Sequence, residues 1–150
     1  MTCSFDTSAL VKLYHREPGT ETALDIYHSG DRIQISELAR IEFLSTVMRK
    51  LREGTLDGQA YQAVVSRFGQ DLRDRYEVLH FASMVVNETE RVLQVHGRNH
   101  PLRTLDAIQI AFYHVYSEDD TVFVCADQRL VAVIDDENRP TMNPQPVPGA

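Results

Sequence analysis

Ser4-Phe5-Asp6-Thr7-Ser8-Ala9-Leu10 is the stretch on which the reading of this chain turns. An apolar run from Met1 to Phe5 ends at an acid, two hydroxyl residues follow, and Ala9, Leu10, Val11 and Leu13 come next. That order predicts a first strand, a sharp turn and the opening of a helix. In an open parallel sheet, ligands bind beyond the carboxyl ends of the strands. Asp6 occupies such a place if its strand is central. The plainer alternative is a helix N-cap, since Asp accepts backbone amides there.

Working outward, Ser8 to Tyr14 reads as helix, broken by Glu17-Pro18-Gly19. Helix is predicted over Thr20 to His28 and closes at Gly30, and Arg32 to Ser36 alternates as a short strand. A long helix follows over Glu37 to Arg52, with Ser36 as its cap and Gly54 beyond its end. Leu38, Ile41, Leu44, Met48 and Leu51 recur along it at helical spacing and are read as its core-facing side. A further helix begins near Asp57, with Tyr61, Val64, Val65, Phe68 and Leu72 on its buried face. Then come a strand over Tyr76 to Phe81, helices over Ser83 to His96 and Arg103 to Tyr116, and a strand over Val122 to Cys125. A short helix over Asp127 to Val133 and an edge strand over Arg139 to Asn143 close the pattern. Strands alternating with helices predict an α/β fold: a three-layer α/β/α sandwich around a mostly parallel sheet of four to five strands. Residues 1–143 read as one domain and residues 144–150 as a proline-rich, mobile tail. The two consecutive helices after the second strand are a candidate partner or dimer surface.

A chain of 150 residues suits one domain, and 43% hydrophobic with 25% charged residues is an ordinary globular balance. No apolar run is long enough to span a membrane. No basic region followed by an apolar stretch opens the chain, so the expected location is the cytoplasm. The two cysteines, Cys3 and Cys125, lie in strand-like apolar runs and read as buried thiols, not a disulfide framework. The formal charge of −7 argues against a nucleic-acid binder with a broad basic surface. Four acids neutralised by metal would remove more than half of that excess, and any nucleic acid would still need a local basic patch. The basic residues near the acids are Lys12, Arg16, Arg40, Arg49, Arg103 and Arg129. Arg103 lies one helical turn before Asp106, within reach of a phosphate; for each of these residues a solvated surface charge is the ordinary alternative.

Three more acids fall at points comparable to Asp6. Glu42 has only Leu38, Ala39, Ser45 and Thr46 as helical neighbours, so no i,i+4 ion pair explains it. Asp106 sits in a helix that is apolar almost all round, beside Ala107, Ile108, Ile110, Ala111 and Phe112. A bare buried carboxylate there would cost several kcal/mol or take up a proton unless a cation or donors met it; the alternative is a first-turn acid facing the helix dipole. Asp127 follows a strand and precedes a helix, as Asp6 does, and is equally an N-cap candidate. Clustered carboxylates repel one another, and a hard dication with oxygen ligands reverses that balance. The six histidines form no metal set, and neither a nucleophile motif nor a glycine-rich phosphate loop is present.

Phe5-Asp6-Thr7-Ser8-Ala9, Ser36-Glu37-Leu38-Ala39-Arg40-Ile41-Glu42, Leu105-Asp106-Ala107 and Ala126-Asp127-Gln128-Arg129-Leu130 together resemble the four motifs of PIN domains. In order, spacing and length the chain is similar to the VapC-type toxins of bacterial toxin–antitoxin pairs. The resemblance runs from about Phe5 to Asn143. It implies a Mg²⁺- or Mn²⁺-dependent endoribonuclease whose acidic quartet is Asp6, Glu42, Asp106 and Asp127. Asp6 and Asp106 would be the main ligands, while Glu42 and Asp127 would support a second ion or orient water. Thr7 and Ser8 would add hydroxyl contacts, and Arg103 a contact to substrate. It also implies RNA as substrate, a cognate antitoxin and a homodimer. One departure is Cys125, which stands where the family often has Thr or Ser.

Two other classes place an acid after the first strand. An aspartyl phosphatase or phosphotransfer receiver would use Asp6 as a nucleophile, yet the second acid of Asp-x-Asp is Ser8 here and adjacent acids are absent. A non-catalytic binding module would use the acidic pocket to capture an arginine of a partner. Phosphoprotein formed with acetyl phosphate, or harmless expression in a host, would favour these two respectively.

Overall fold

The computed structural model describes residues 1–146. Five strands, β1 (Thr2–Phe5), β2 (Arg32–Ser36), β3 (Tyr76–Leu79), β4 (Val122–Val124) and β5 (Thr141–Met142), form one sheet in the order β3-β2-β1-β4-β5. Every neighbouring pair is parallel, with Phe5 opposite Ile35 on one side and Val124 on the other. Among the described residues the helices are α1 (Thr7–Leu10, continuing as a 3₁₀ turn over Val11–Leu13), α2 (Thr20–Ser29), α3 (Glu37–Arg52), α4 (Gly58–Asp74), α5 (Ser83–His96), α6 (Thr104–Tyr116) and α7 (Gln128–Asp136).

The order of the strands positions everything that follows. The chain builds outward from β1 through β2 to β3, then returns to the far side of β1 for β4 and β5. The direction of winding therefore reverses between β1 and β4, which opens a crevice at the carboxyl ends of those two strands. Asp6 and Asp127 stand just beyond those ends. The Asp6 amide still donates to Val124 O at 3.0 Å, so the ladder runs to the lip of the crevice.

Strand residues alternate between two helical layers, as the period of two requires. Cys3, Phe5, Ile33, Ile35, Val122 and Val124 pack with α1 to α4, while Phe123 and Cys125 pack with α5, α6 and α7. On the first face Phe43 of α3 and Phe68 of α4 stack with centroids 3.9 Å apart, and Tyr14 closes edge-on at 5.1 Å from Phe43. The result is the expected α/β/α sandwich, with all five strands parallel. Cys3 and Cys125 are both buried free thiols.

Local expectations on the buried face of α3 and on the bounds of β3, α7 and β5 need correction. On α3 the buried side is Leu38, Ala39, Phe43 and Val47, whereas Ile41, Leu44 and Met48 are 60%, 42% and 39% exposed. Both stripes recur at helical spacing, so periodicity identifies the helix but not which stripe the neighbours cover. Strand β3 stops at Leu79, because its partner β2 ends at Ser36 and the Phe81 amide donates to Glu37 Oε2 at 2.7 Å instead. Helix α7 runs three residues past Val133 to Asp136, and β5 shortens to Thr141–Met142. Within residues 144–146, Gln145 Nε2 donates to Ala126 O at 3.1 Å, and Pro144 lies over Gly19. Gly19 has φ +91°, and a Cβ there would meet Pro144 O at 1.8 Å, so both backbone and space require glycine. Residues 147–150 lie outside the described residues.

Candidate active site

The crevice is a cleft of about 400 Å³. Its lining takes Asp6 and Thr7 from the turn after β1, Glu42 from α3, Asp106 and Gln109 from α6, and Asp127 from the turn after β4. The four acids, separated by as much as most of the chain, thus share one cavity. They are not gathered into a cage: among the described residues no group of three His, Cys, Asp or Glu is arranged to hold a metal ion.

Each acid is fixed differently. Asp6 is the N-cap of α1 as well as part of the lining; its Oδ1 accepts from the Ala9 amide at 3.2 Å and from Ser8 Oγ at 2.7 Å. It is only 5% exposed and has no basic partner within salt-bridge distance among the described residues. Burial pushes its pKa up to about 6, against the pull of the Ser8 and Ala9 bonds. Ser8 also accepts from the Ala126 amide at 2.9 Å, which ties the turn after β1 to the end of β4. Both the capping role and the cleft position considered from sequence are therefore realised in one residue.

Glu42 points into a hydrogen-bonded network. Its Oε1 accepts from Thr7 Oγ1 and from Gln109 Nε2, each at 2.9 Å. Gln109 Nε2 also reaches Thr7 Oγ1 at 3.0 Å, and its Oε1 accepts from Ser36 Oγ at 2.8 Å. A side chain of β2, one of α1, one of α3 and one of α6 are locked together in this way. Gln109 was not singled out from sequence. Its signal was available: a polar side chain, now 6% exposed, three residues after Asp106 on a helix otherwise apolar through Tyr113.

Asp106 sits in the first turn of α6, and its Oδ2 accepts from the Arg103 amide at 3.0 Å. Asp127 caps α7, its Oδ1 taking the Arg129 amide at 2.9 Å. The Arg129 side chain grips the same carboxylate, Nε on Oδ1 at 3.2 Å and Nη2 on Oδ2 at 2.7 Å, while Nη1 stands 3.5 Å from Asp106 Oδ2. These contacts hold the Asp127 carboxyl below the usual carboxylate range. Arg129 is thus neither a solvated surface charge nor a free hook for phosphate.

Thr7 and Ser8 do offer hydroxyls at the site, both spent on orienting acids. Arg103 is exposed and its side chain is not part of the lining. The cations that do line the cleft are Lys12, Arg49 and Lys50, the first two of which were on the sequence-based shortlist. Lys12 is 8% exposed; its Nζ donates to Glu17 Oε1 at 3.2 Å and to Pro18 O at 2.7 Å, while Lys50 Nζ is 3.5 Å from Glu17 Oε2. Cys125 Sγ accepts from the Asp127 amide at 3.3 Å, so the thiol fills the turn position expected for a hydroxyl. Burial holds that thiol protonated, far above its ordinary pKa.

A family model, PIN domain, matches residues 4–135, and the chain belongs to the PIN domain family. Among solved structures it is similar to FitAcB from Neisseria gonorrhoeae, with a TM-score of 0.72 at 15% identity over 95% of this chain and 98% of that one. Mycobacterium tuberculosis VapC20, described as a sarcin–ricin-loop-cleaving toxin, gives 0.68 at 16% identity over 87% and 94%. DNA-bound VapBC from Salmonella typhimurium gives 0.67 at 17% identity over 96% and 98%. At such identities the likeness establishes the shared fold. No curated protein matches the chain. No helix among the described residues is long and apolar enough to cross a membrane.

Proposed function

We propose that this chain is the toxin of a bacterial toxin–antitoxin pair, a Mg²⁺- or Mn²⁺-dependent endoribonuclease that hydrolyses RNA phosphodiesters. The observation that carries the reading is that Asp6, Glu42, Asp106 and Asp127 line one cleft at the point where the winding of the sheet reverses. Membership of the PIN family supports it, as does a fold shared with a toxin described as cutting the sarcin–ricin loop.

The donors suit a hard dication in kind. All four are carboxylates, and Asp6 is a buried acid with no basic partner among the described residues, which a cation would complete. Asp6 and Asp106 would hold the ion, with Glu42 and Asp127 supporting a second ion or orienting water. Such an ion, when bound, makes water a stronger nucleophile and neutralises charge developing on a phosphate. The chain's own side chains do the positioning. Ser8 holds Asp6, and Thr7 with Gln109 holds Glu42. Arg49, the cleft-lining cation with no carboxylate partner among the described residues, supplies positive charge toward a polyanion, whereas Lys12 and Lys50 are paired with Glu17.

The exposed stripe of Ile41, Leu44 and Met48 on α3 supports the partner side of the reading, an antitoxin and a second copy of the chain in the cytoplasm. Incubation of the purified protein with total RNA tests the activity. Discrete fragments are expected with Mg²⁺ or Mn²⁺ and none with chelator. An RNA pool left intact under every metal condition would remove the proposal.

A further inference from the structure

Arg129 occupies the acids that the proposed function assigns to metal. Its guanidinium makes a two-pronged contact with both oxygens of Asp127 and approaches Asp106 Oδ2 at 3.5 Å. With the Arg129 backbone amide, three donors of one residue converge on the Asp127 carboxylate. One cation already faces these two acids, and among the described residues no group of three acids is arranged for an ion. A dication entering beside a guanidinium would meet direct repulsion at short range, little screened by salt. The Arg129 side chain is 36% exposed, in the first turn of α7, so water borders the contact.

Resting on the reading above, we infer that Arg129 is a built-in counter-ion that a divalent metal must displace from Asp127 and Asp106 before the site is loaded. The apparent affinity for metal is then lowered by the fraction of molecules in which Arg129 is seated. This sets a threshold metal concentration for activity that belongs to the chain itself and needs no partner.

The test is Mn²⁺ binding by calorimetry to the full chain and to Arg129→Gln, Arg129→Lys and Arg103→Gln. Arg129→Gln is expected to bind Mn²⁺ at least about fivefold tighter, because the seated fraction no longer competes. Arg129→Lys keeps the charge but loses the fork and falls between the two. Arg103→Gln removes a guanidinium from the same field without touching a carboxylate through its side chain, and should change affinity by less than about twofold. The advantage of Arg129→Gln should persist in about 0.5 M KCl, where through-space effects of exposed charges fade. As a second readout, the Arg129 Nε–H resonance should shift as Mg²⁺ saturates the wild-type protein. Equal or weaker Mn²⁺ binding by Arg129→Gln, or an Nε–H signal unmoved at saturation, would overturn the inference alone. Uptake of Mn²⁺ by neither protein would overturn it together with the metal-dependent reading. Uptake by Arg129→Gln only would be its strongest support.

Discussion

Asp6 and Glu137 are both carboxylates withdrawn from water, and the fold treats them in opposite ways. Burial pushes the Glu137 carboxyl up, but His114 and His96, at 2.7 and 2.8 Å, together bring it below the ordinary range. The neighbouring Glu88 is lowered by Arg91 first and by His114 as well. Helices α5, α6 and the end of α7 are thereby clasped by a chain of hydrogen bonds through Arg91, Glu88, His114, Glu137 and His96. Asp6 receives a serine hydroxyl and a backbone amide but no cation, and its pKa rises to about 6. The Glu137 carboxylate is held by two imidazoles, whereas Asp6 is held by a hydroxyl and an amide alone.

The comparison breaks most sharply through substitution. Asp6→Asn is expected to lower metal-dependent RNA cleavage by at least about a hundredfold while leaving the thermal midpoint unchanged or higher. Glu137→Gln should do the reverse, keeping cleavage within about twofold and costing about 1–3 kcal/mol as His96 and His114 lose an ionised partner. Cleavage assays paired with thermal melts of both variants decide this, and matching losses of activity would erase the distinction.

The two regions should also have opposite pH responses in metal-free protein. The folded pKa of Asp6 lies above its unfolded value, so the cost of burying its charge is absent below about pH 4 and fully present above about pH 6. Wild type should therefore lose up to about 3 kcal/mol relative to Asp6→Asn as pH rises through that window. Glu137 and Glu88 have lowered folded values, so their contribution is present above the ordinary glutamate range and lost as pH falls through it. Urea titrations of wild type, Asp6→Asn and Glu137→Gln at several pH values separate the two slopes.

Smaller effects sharpen the picture. Gln109→Ala leaves Glu42 with only Thr7 and should reduce cleavage by about tenfold, the scale found when a group supporting a metal ligand is lost. On α3, Ile41→Ser should change stability by less than about 0.5 kcal/mol, where Phe43→Ala, two residues on and on the opposite face, costs about 3–5 kcal/mol. Denaturant melts measure that gap, and size-exclusion of the Ile41 variant reads whether the exposed stripe holds a second copy.

Much of the fold was legible because its signals are local. Ser36 and Asp57 bond amides three residues ahead, so the starts of α3 and α4 are visible in a few letters. The continuous apolar run Val122-Phe123-Val124-Cys125 marked β4 for the same reason. What failed was whatever depended on a neighbour: the end of β3, fixed by the length of β2, and the covered side of α3, fixed by Phe68 of α4. The site divides along the same line. Asp6 and Asp127 drew notice in the sequence because each follows a strand, and Glu42 and Asp106 because their surroundings left a charge unexplained; the fold sets all four on one cleft.

The sequence alone determined the alternation of strands and helices, the caps and the identity of the acids, since each is a property of residues a turn or two apart. Only the tertiary structure decided that β4 returns beside β1, and with it that the four acids share a cleft. The same return sets Gln109 against Glu42 and lets Arg129 bridge Asp127 to Asp106. Those outcomes depend on which distant surfaces bury one another, and no local spacing encodes that choice.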